Sequence, residues 1–517
     1  MTGFSHILSL IIFLPFIVGV LIALFFNDKA GKLTAFVVSI VVAVLGLVLF
    51  FKFDPNAGMQ FVDSISLVPK YGISYLVGVD GINLYILLII TSAFPPLFFI
   101  LKNRKKGYWA NMLFMQSGFL SVVSSLDLVY FYAGWEMMLI PIFIMVGIYG
   151  KDSGRAGALM DMMYYAIFGS MIMLGAIIYI GAAHYYEFGF FSFRLEDLIK
   201  VSLNSDLQTV LFFCFMLAFV IKLPLFPFHL WMSNAYTKSL TTATFMLSVI
   251  ASKVAVFAIL RFVLPLFPVS FVNYSTWFIS LGLFSMLYFG IAAIKVKDFK
   301  TLLAYASASH LGLIIAGVFA LDVEAMTGSM YQVVAHAITS GIMFLLVGMI
   351  SEQLGTRKIS KLGGLAIKAP VFATIFAIAM ISSVGLPATV GFVGELLIIF
   401  GLFKANLIYG IFGTTSIVIG AIYMFIVYRK AILQNTNELT AKFKDLRKRE
   451  ILAFLVAVAM IFIMGIYPKP FIKQIEPTMN EHYESYIKPN LGAKNDSAIT
   501  FYSLFGGYVY KYIFMRH

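Results

Sequence analysis

The chain has 517 residues, of which 61% are hydrophobic and 12% are charged. An ordinary soluble domain is about 45–50% apolar and about 25% charged, so this composition indicates a polytopic membrane protein. The single cysteine, Cys214, excludes disulfides within the chain and cysteine-ligated iron–sulfur clusters.

Fourteen apolar segments are long enough to span a bilayer. They predict an all-α polytopic membrane protein of about 14 transmembrane helices, and the first can serve as a signal anchor. The predicted segments are 5–26, 33–51, 81–101, 108–126, 127–149, 159–184, 208–235, 240–262, 273–294, 301–320, 326–351, 369–405, 407–430 and 451–467.

Basic residues are concentrated in alternate loops between these segments. Those loops carry 23 of the 37 lysines and arginines, whereas the opposite loops and the C-terminal tail carry 12. Because short basic loops stay on the cytoplasmic side, we expect a bacterial plasma membrane protein with both termini in the periplasm. The same pattern accounts for the net charge of +13 without a nucleic-acid groove.

The longest early loop on the opposite side, 52–80, alternates apolar and polar residues around Pro69 and Gly72. Alternation about a turn predicts a β-hairpin. An irregular loop is the alternative.

Two of the predicted segments are interrupted by helix-breaking residues. The seventh contains Pro224 and Pro227, and the twelfth, too long for one straight helix, contains Gly385 and Pro387. These segments lie five crossings apart and run in opposite directions, which favours two inverted five-helix repeats. The predicted organisation is helices 1–3 with a periplasmic hairpin (1–107), a first repeat (108–262), an inverted second repeat (263–430), and a cytoplasmic link, helix 14 and periplasmic tail (431–517).

Few ionisable residues lie inside the predicted membrane segments. Glu136, Lys222, Lys253 and Glu395 fall near the middle of theirs. Ionisable groups inside a membrane are functional candidates, because a charge there costs roughly 2.5–3.5 kcal/mol even on insertion scales. Pairing two such charges at ~4 Å is worth about 4 kcal/mol at an effective dielectric constant near 20. Separating a pair would therefore release a proton to the next site.

Three histidines complete the candidate set. His229 follows the first interruption, and His310 and His336 lie in segments 10 and 11. A neutral histidine can pass a proton between two charged sites. The structural alternatives are that the carboxylates form buried pairs that hold helices together, that Lys222 snorkels to water, and that a histidine only locks a broken helix.

Several stretches resemble the subunit M (chain 4) family of the proton-pumping NADH:quinone oxidoreductase, respiratory complex I, within the antiporter-like superfamily. The resemblance extends over about residues 70–470. The stretches that carry it are FYAGWEMMLIPIFIMVGIYG (131–150), IKLPLFPFHLW (221–231), KDFKTLLAYASASHLG (297–312), VVAHAITSGIMFLLVGMISEQLGTRKISKLGGL (333–365) and SSVGLPATVGFVGELLI (382–398).

This resemblance implies a proton-translocating subunit without a redox centre, cofactor or metal of its own. Flavin and iron–sulfur clusters are expected in partner subunits, with L- and N-type antiporter-like chains as membrane neighbours and the peripheral redox arm as an indirect partner. The implied proton-transfer residues fall on Glu136, Lys222, Lys253 and Glu395, and the implied relays include His310 and His336. The alternative function is a subunit of a multi-subunit cation/proton antiporter.

One stretch departs from the family pattern. After Trp231 the family usually reads LPDAHAEAPTAGS, whereas this chain reads MSNAYTKSLTTAT. The aspartate, histidine and glutamate of the pattern become Asn234, Tyr236 and Lys238. The two acids of the pattern are thus absent from this stretch, and neither can take up protons here.

Overall fold

The computed structural model describes residues 6–102, 104–150 and 154–493. The predicted helical membrane fold is confirmed: helices occupy each of the fourteen predicted segments. Eleven helices of the described residues are long and apolar enough to cross a membrane, and Leu84–Ile100 and Pro370–Ser383 are shorter apolar helices. Fourteen crossings and the inverted repeats stay predictions, as do the domain boundaries and the location of Lys151, which lies outside the described residues.

The first half of the described chain contains nine helices and the two strands of a hairpin. They are α1 (Ile7–Phe25), α2 (Asp28–Lys52), β1 (Gln60–Val68), β2 (Ile73–Val79), α3 (Leu84–Ile100), α4 (Lys106–Ser124), α5 (Leu128–Gly147), α6 (Arg155–Phe188), α7 (Leu195–Leu198), α8 (Ser205–Lys222) and α9 (Leu230–Lys238).

The second half of the described chain is helical throughout, apart from short connections. Its helices are α10 (Thr241–Met246), α11 (Ser252–Ala258), α12 (Leu264–Leu266), α13 (Pro268–Asn273), α14 (Ser275–Lys295), α15 (Phe299–Val318), α16 (Val323–Leu354), α17 (Leu365–Lys368), α18 (Pro370–Ser383), α19 (Val390–Ala405), α20 (Leu407–Val427), α21 (Lys448–Ile466) and α22 (Lys469–His482).

Helices α10, α11 and α12 form one continuous rod at the centre of the fold. Two π-helical turns, Leu247–Ala251 and Ile259–Val263, join them. The most apolar 18-residue window of this rod is wholly buried, whereas only 39% of that of α1 and 33% of that of α2 are buried. Large apolar side chains such as Phe25 and Phe51 are exposed. An apolar exterior around a polar-bearing centre is typical of a protein that faces lipid.

The basic loops gather at one end of the bundle, hereafter the basic side. Arg357 bonds Asp298 across two loops at 3.1 Å, and Lys102 lies 3.6 Å from Glu352. The 431–450 link also lies there and is mostly exposed. It is not simply a solvated face, because Phe443 is buried and the Asp445 carboxylate accepts hydrogen bonds from the first backbone N–H groups of α18.

The opposite end, hereafter the hairpin side, carries the predicted β-hairpin, which is confirmed. Strands β1 and β2 are antiparallel, with Ser64 opposite Leu76 and Ile65 opposite Tyr75. The turn needs Gly72, because its φ is +64° and an added Cβ would overlap the Phe191 carbonyl. Strand β2 is buried against the bundle and β1 is mostly exposed.

Helix α22, in the predicted tail, docks on the hairpin side. Its buried face includes Ile475 and Met479, and the Thr478 hydroxyl accepts a hydrogen bond from the Gly81 backbone N–H at 3.2 Å. Next to this contact, Arg261, at the end of the central rod on the hairpin side, forms a buried ion pair with Asp80 at 2.5 Å. One partner of a buried pair is strongly destabilising without the other, so this contact fixes the rod to the hairpin side.

Two titrating groups respond differently to burial at this contact. Although burial alone raises the pKa of Asp80, the Arg261 charge and its hydrogen bond outweigh burial and hold that pKa below its ordinary value. Burial, and after it the Arg261 charge, lower the pKa of His482 to about 4, against the opposing effect of Asp80. Docked α22 therefore binds fewer protons than undocked α22 between pH 4 and the ordinary histidine pKa near ~6.5.

We predict that docking of α22 weakens as the pH falls through this window, by about 2 kcal/mol at pH 5. Hydrogen–deuterium exchange of the α22 amides in the intact complex, corrected for intrinsic rates, measures the change. His482→Gln should remove most of the pH dependence. The matched control is His6→Gln on the same side, where the side chain is 73% exposed; equal pH dependence in both variants would contradict the assignment.

Candidate functional site

The first interrupted helix ends at Lys222 because proline removes its hydrogen bonds. Pro224 has no N–H for the Val220 carbonyl, so Leu225 N–H donates to Val220 instead, at 3.1 Å. The Ile221 carbonyl is thereby freed and accepts from the Trp231 indole, also at 3.1 Å. The carbonyls that the break would leave unpaired therefore find donors inside the protein, as burial at membrane depth requires.

Lys222 lies at this break beside a small cavity. Its Nζ is 5.4 Å from the centre of the Trp135 ring, and Glu136 is within electrostatic range. No ion pair within 4 Å joins Glu136 to Lys222, and Glu136 is half-buried, with one carboxylate oxygen lacking a partner in the described protein. The cavity walls come from five helical elements and comprise Trp135, Leu139, Met162, Ala166, Ala218, Ile221, Lys222, Trp231 and Leu247.

Lys253 lies on the central rod, where a π-helical turn exposes a backbone acceptor. The Ser252 N–H donates to the Leu247 carbonyl rather than to that of Ser248, so the Ser248 carbonyl lacks this backbone donor and accepts from the Ser252 hydroxyl at 3.2 Å. The Lys253 ammonium donates a hydrogen bond to this carbonyl. Lys253 Nζ also lies 2.5 Å from Nδ1 of His336 on α16. A wholly buried lysine therefore has a backbone partner and a side-chain partner.

From Lys253 the polar contacts continue to Glu395. The His336 and His310 rings are 5.6 Å apart between centres, and Nδ1 of His310 lies 3.1 Å from Oε1 of Glu395. Gln332 donates to the same carboxylate oxygen at 3.2 Å, and Ser383 contacts the other nitrogen of His310 at 3.3 Å. Hereafter the polar row means Lys253, His336, His310 and Glu395.

A cavity of about water size adjoins the middle of the polar row. Its polar walls are Ser307, His310, His336, Ser340 and Ser383. The Nε2 of His336 and the hydroxyl of Ser340 are buried there and have no hydrogen-bond partner among the described residues. Buried polar atoms of this kind are usually satisfied by ordered water, so the cavity can join the two histidines through a bridging water molecule.

The Glu395 carboxylate has space beside the break that interrupts the second helix at Gly385. Helix α18 ends in a Schellman arrangement, in which the Leu386 N–H donates to the Ile381 carbonyl at 3.0 Å. Gly385 follows with φ of +75°, and a Cβ there would lie 2.7 Å from Oε2 of Glu395. The break therefore makes room for the carboxylate as well as turning the chain.

His229 is placed apart from the polar row. Its ring packs among Phe226, Tyr288 and Phe289, with ring centres 5.0–5.7 Å away. Within the described residues it makes no hydrogen bond to Lys222, Lys253 or the other two candidate histidines. The predicted relay role of His229 stays a prediction, and its observed contacts are aromatic.

Known proteins resemble this arrangement over nearly the whole chain. Residues 125–420 match the family described as NADH:quinone oxidoreductase/Mrp antiporter, TM. The chain is 34% identical to NADH-quinone oxidoreductase subunit M of Rickettsia prowazekii, over 90% of this chain and 96% of that protein.

This chain belongs to the NADH:quinone oxidoreductase/Mrp antiporter membrane-subunit family.

Solved structures agree with membership of this family. A chain of respiratory complex I from Thermus thermophilus with bound NADH superposes with a TM-score of 0.85 at 30% identity, covering 92% of this chain and 99% of that one. A chain of the Mrp complex from Dietzia superposes with a TM-score of 0.83 at 19% identity, covering 95% and 100%. At that identity the second likeness concerns the fold alone.

Sequence reasoning missed several residues that this family member places at the site. Gln332, His336 and Ser340 recur every four residues and so share one face of α16; that spacing could have identified Gln332 and Ser340. The hydroxyls of Ser309 and Thr339 bond backbone carbonyls, of Met286 at 2.8 Å and of Ala335 at 2.9 Å respectively.

We predict that Gly385→Ala lowers proton pumping more than it lowers the amount of assembled chain. The added methyl group meets Glu395 Oε2 and must displace the carboxylate from His310, besides straining a positive φ. The matched control is Gly355→Ala, which has φ of +67° and open space around its Cβ position. Pumping in sealed vesicles, normalised to the chain content, should fall only for Gly385→Ala; an equal effect of both variants would mean that backbone strain alone is responsible.

Proposed function

We propose that this chain is the proton-translocating membrane subunit of a redox-driven NADH:quinone oxidoreductase. The observation that carries the proposal is the polar row, a series of contacts from Lys253 through two histidines to Glu395 inside the apolar part of the fold. Ionisable groups are costly to bury inside a membrane, and those found there in mutual contact mark ion and proton pathways. The identity of 34% to a subunit M chain supports the redox-driven class.

Proton transfer along the row follows from changes in charge pairing. A proton reaches Lys222, and approach of Glu136 stabilises the charged ammonium. When Glu136 moves away, the buried charge loses an attraction of roughly 4 kcal/mol at close range, and the proton passes towards Lys253. The ring nitrogens of His336 and His310, with water between them, carry it to Glu395. The partner chains hold the flavin, the iron–sulfur clusters and the quinone site.

The proposal includes the setting of the subunit. Its neighbours in the membrane are antiporter-like chains of the L and N types, and the peripheral redox arm acts on it indirectly. The basic side faces the cytoplasm of a bacterium, and both termini are periplasmic. The loop charges support this orientation.

A cation/proton antiporter subunit is the second candidate, since the Mrp complex shares the fold. The two functions differ in their driving force. The interior of sealed inside-out vesicles that contain the intact complex should become more acidic when NADH is added in sodium-free buffer. Proton movement that needs an imposed sodium gradient and is indifferent to NADH would favour the antiporter.

We predict that Glu395→Gln and Lys253→Met each lower NADH-driven pumping by about tenfold or more, since neither replacement can exchange a proton. Quinone reduction by uncoupled membranes should fall less. The matched controls are Glu324→Gln and Lys404→Met, an exposed pair 2.8 Å apart. Pumping near wild type in both row variants, with the chain assembled, would overturn the proposed function.

A further inference from the structure

A carboxylate on α6 lies where the sequence departs from the family pattern. The Asn234 side-chain amide on α9 donates a hydrogen bond to Oδ2 of Asp161 on α6 at 3.1 Å. Asp161 is half-buried and Asn234 is exposed, so the pair joins the protein interior to the surface. The pair lies towards the basic side, since α6 begins at Arg155, about 9 Å before Asp161 at 1.5 Å per residue, and α9 ends at Lys238.

The Lys222 cavity begins directly behind this pair. Met162, the residue after Asp161, and Ala166, one turn later, form the α6 wall of the cavity. Trp231, three residues before Asn234 on α9, forms another wall. The Asp161–Asn234 pair thus lies between the basic side and the space that contains the Lys222 ammonium.

Among the described residues, no cation forms an ion pair with the Asp161 carboxylate. Its hydrogen-bond partner in the described structure is a neutral amide, whereas Asp298 is held by Arg357 and Glu450 by Arg447. The Lys238 side chain lies beside Gly154, at the start of α6. A carboxylate bonded to an amide and close to water can accept and release protons without breaking an ion pair.

Lys222 needs a donor that can reach it from this direction. Within the described residues its ammonium makes no hydrogen bond to a protein acceptor. It lies over the face of the Trp135 ring. The ammonium has three N–H donors, and the cavity beside it has room for a water molecule. Water in that cavity is the available link between Lys222 and a surface carboxylate.

We propose that Asp161 is the carboxylate that collects protons from the basic side and delivers them to Lys222. This inference rests on the proposed function. Asp161 binds a proton from bulk water, its O–H bond then breaks as the proton passes to water in the cavity, and an N–H bond forms on neutral Lys222. Asn234 is a positioning residue that holds the carboxylate at the mouth of the cavity.

The test compares four variants of the intact complex in sealed vesicles, each measured as the ratio of proton pumping to NADH oxidation. We expect Asp161→Asn, which keeps the shape but cannot titrate, to lower the ratio by about tenfold. Asp161→Glu should keep most of it. The double variant Asp161→Asn with Asn234→Asp places a carboxylate at the other end of the same hydrogen bond, and should recover at least half of the wild-type ratio.

The matched control is Glu438→Gln, which removes an exposed acid from the 431–450 link on the same side and should leave the ratio unchanged. A normal ratio in Asp161→Asn, or a double variant no better than Asp161→Asn, would overturn the assignment, provided that immunoblots show assembled chain. If Glu395→Gln and Lys253→Met abolish pumping while Asp161→Asn does not, only this inference fails. If all three pump normally, the proposed function fails as well.

Discussion

An ionised side chain removed from water must be given other polar partners, and the rest of this structure depends on that constraint. A charge in a membrane interior costs several kcal/mol on any scale. A regular helix offers no free backbone acceptor, because its carbonyls are already bonded to N–H groups one turn later. Among the described residues, Lys222, Lys253 and Glu395 are buried charges near the middle of their segments, and each lies at or next to a helix break or a π-helical turn.

Each irregularity serves its charge in a different way. The proline break after Lys222 opens a cavity, the π-helical turn before Lys253 frees the Ser248 carbonyl, and the glycine break at Gly385 gives space to the Glu395 carboxylate. The connections between the charges also differ. From Lys253 to Glu395 the side chains are in consecutive contact, whereas no hydrogen bond among the described residues joins Lys222 to Lys253, and Leu247 of the central rod is one wall of the Lys222 cavity. In the proposed proton path, the Lys222–Lys253 step is therefore the one that needs water or side-chain movement.

The sequence predicted the parts of this arrangement that depend on local chemistry. Proline and glycine marked both breaks and the hairpin turn, and segment lengths placed the buried charges at mid-depth. It did not predict which side chains meet, because hydropathy does not give the rotation of a helix about its axis. Lys253 and His336 are 83 residues apart, and Asp80 and Arg261 are 181 apart. The π-helical turn at Leu247–Ala251 contains neither proline nor glycine, so no local signal marked it.

We propose that Glu395, at the end of the polar row, exchanges a proton during turnover. Redox-triggered infrared difference spectroscopy of the intact complex tests this directly, because a carboxyl group that gains or loses a proton gives a C=O band that shifts in heavy water. We expect such a band on NADH addition, lost in Glu395→Gln and kept in Glu324→Gln. A difference spectrum in which Glu395→Gln leaves every carboxyl band in place would contradict the account and make Glu395 a structural partner of His310.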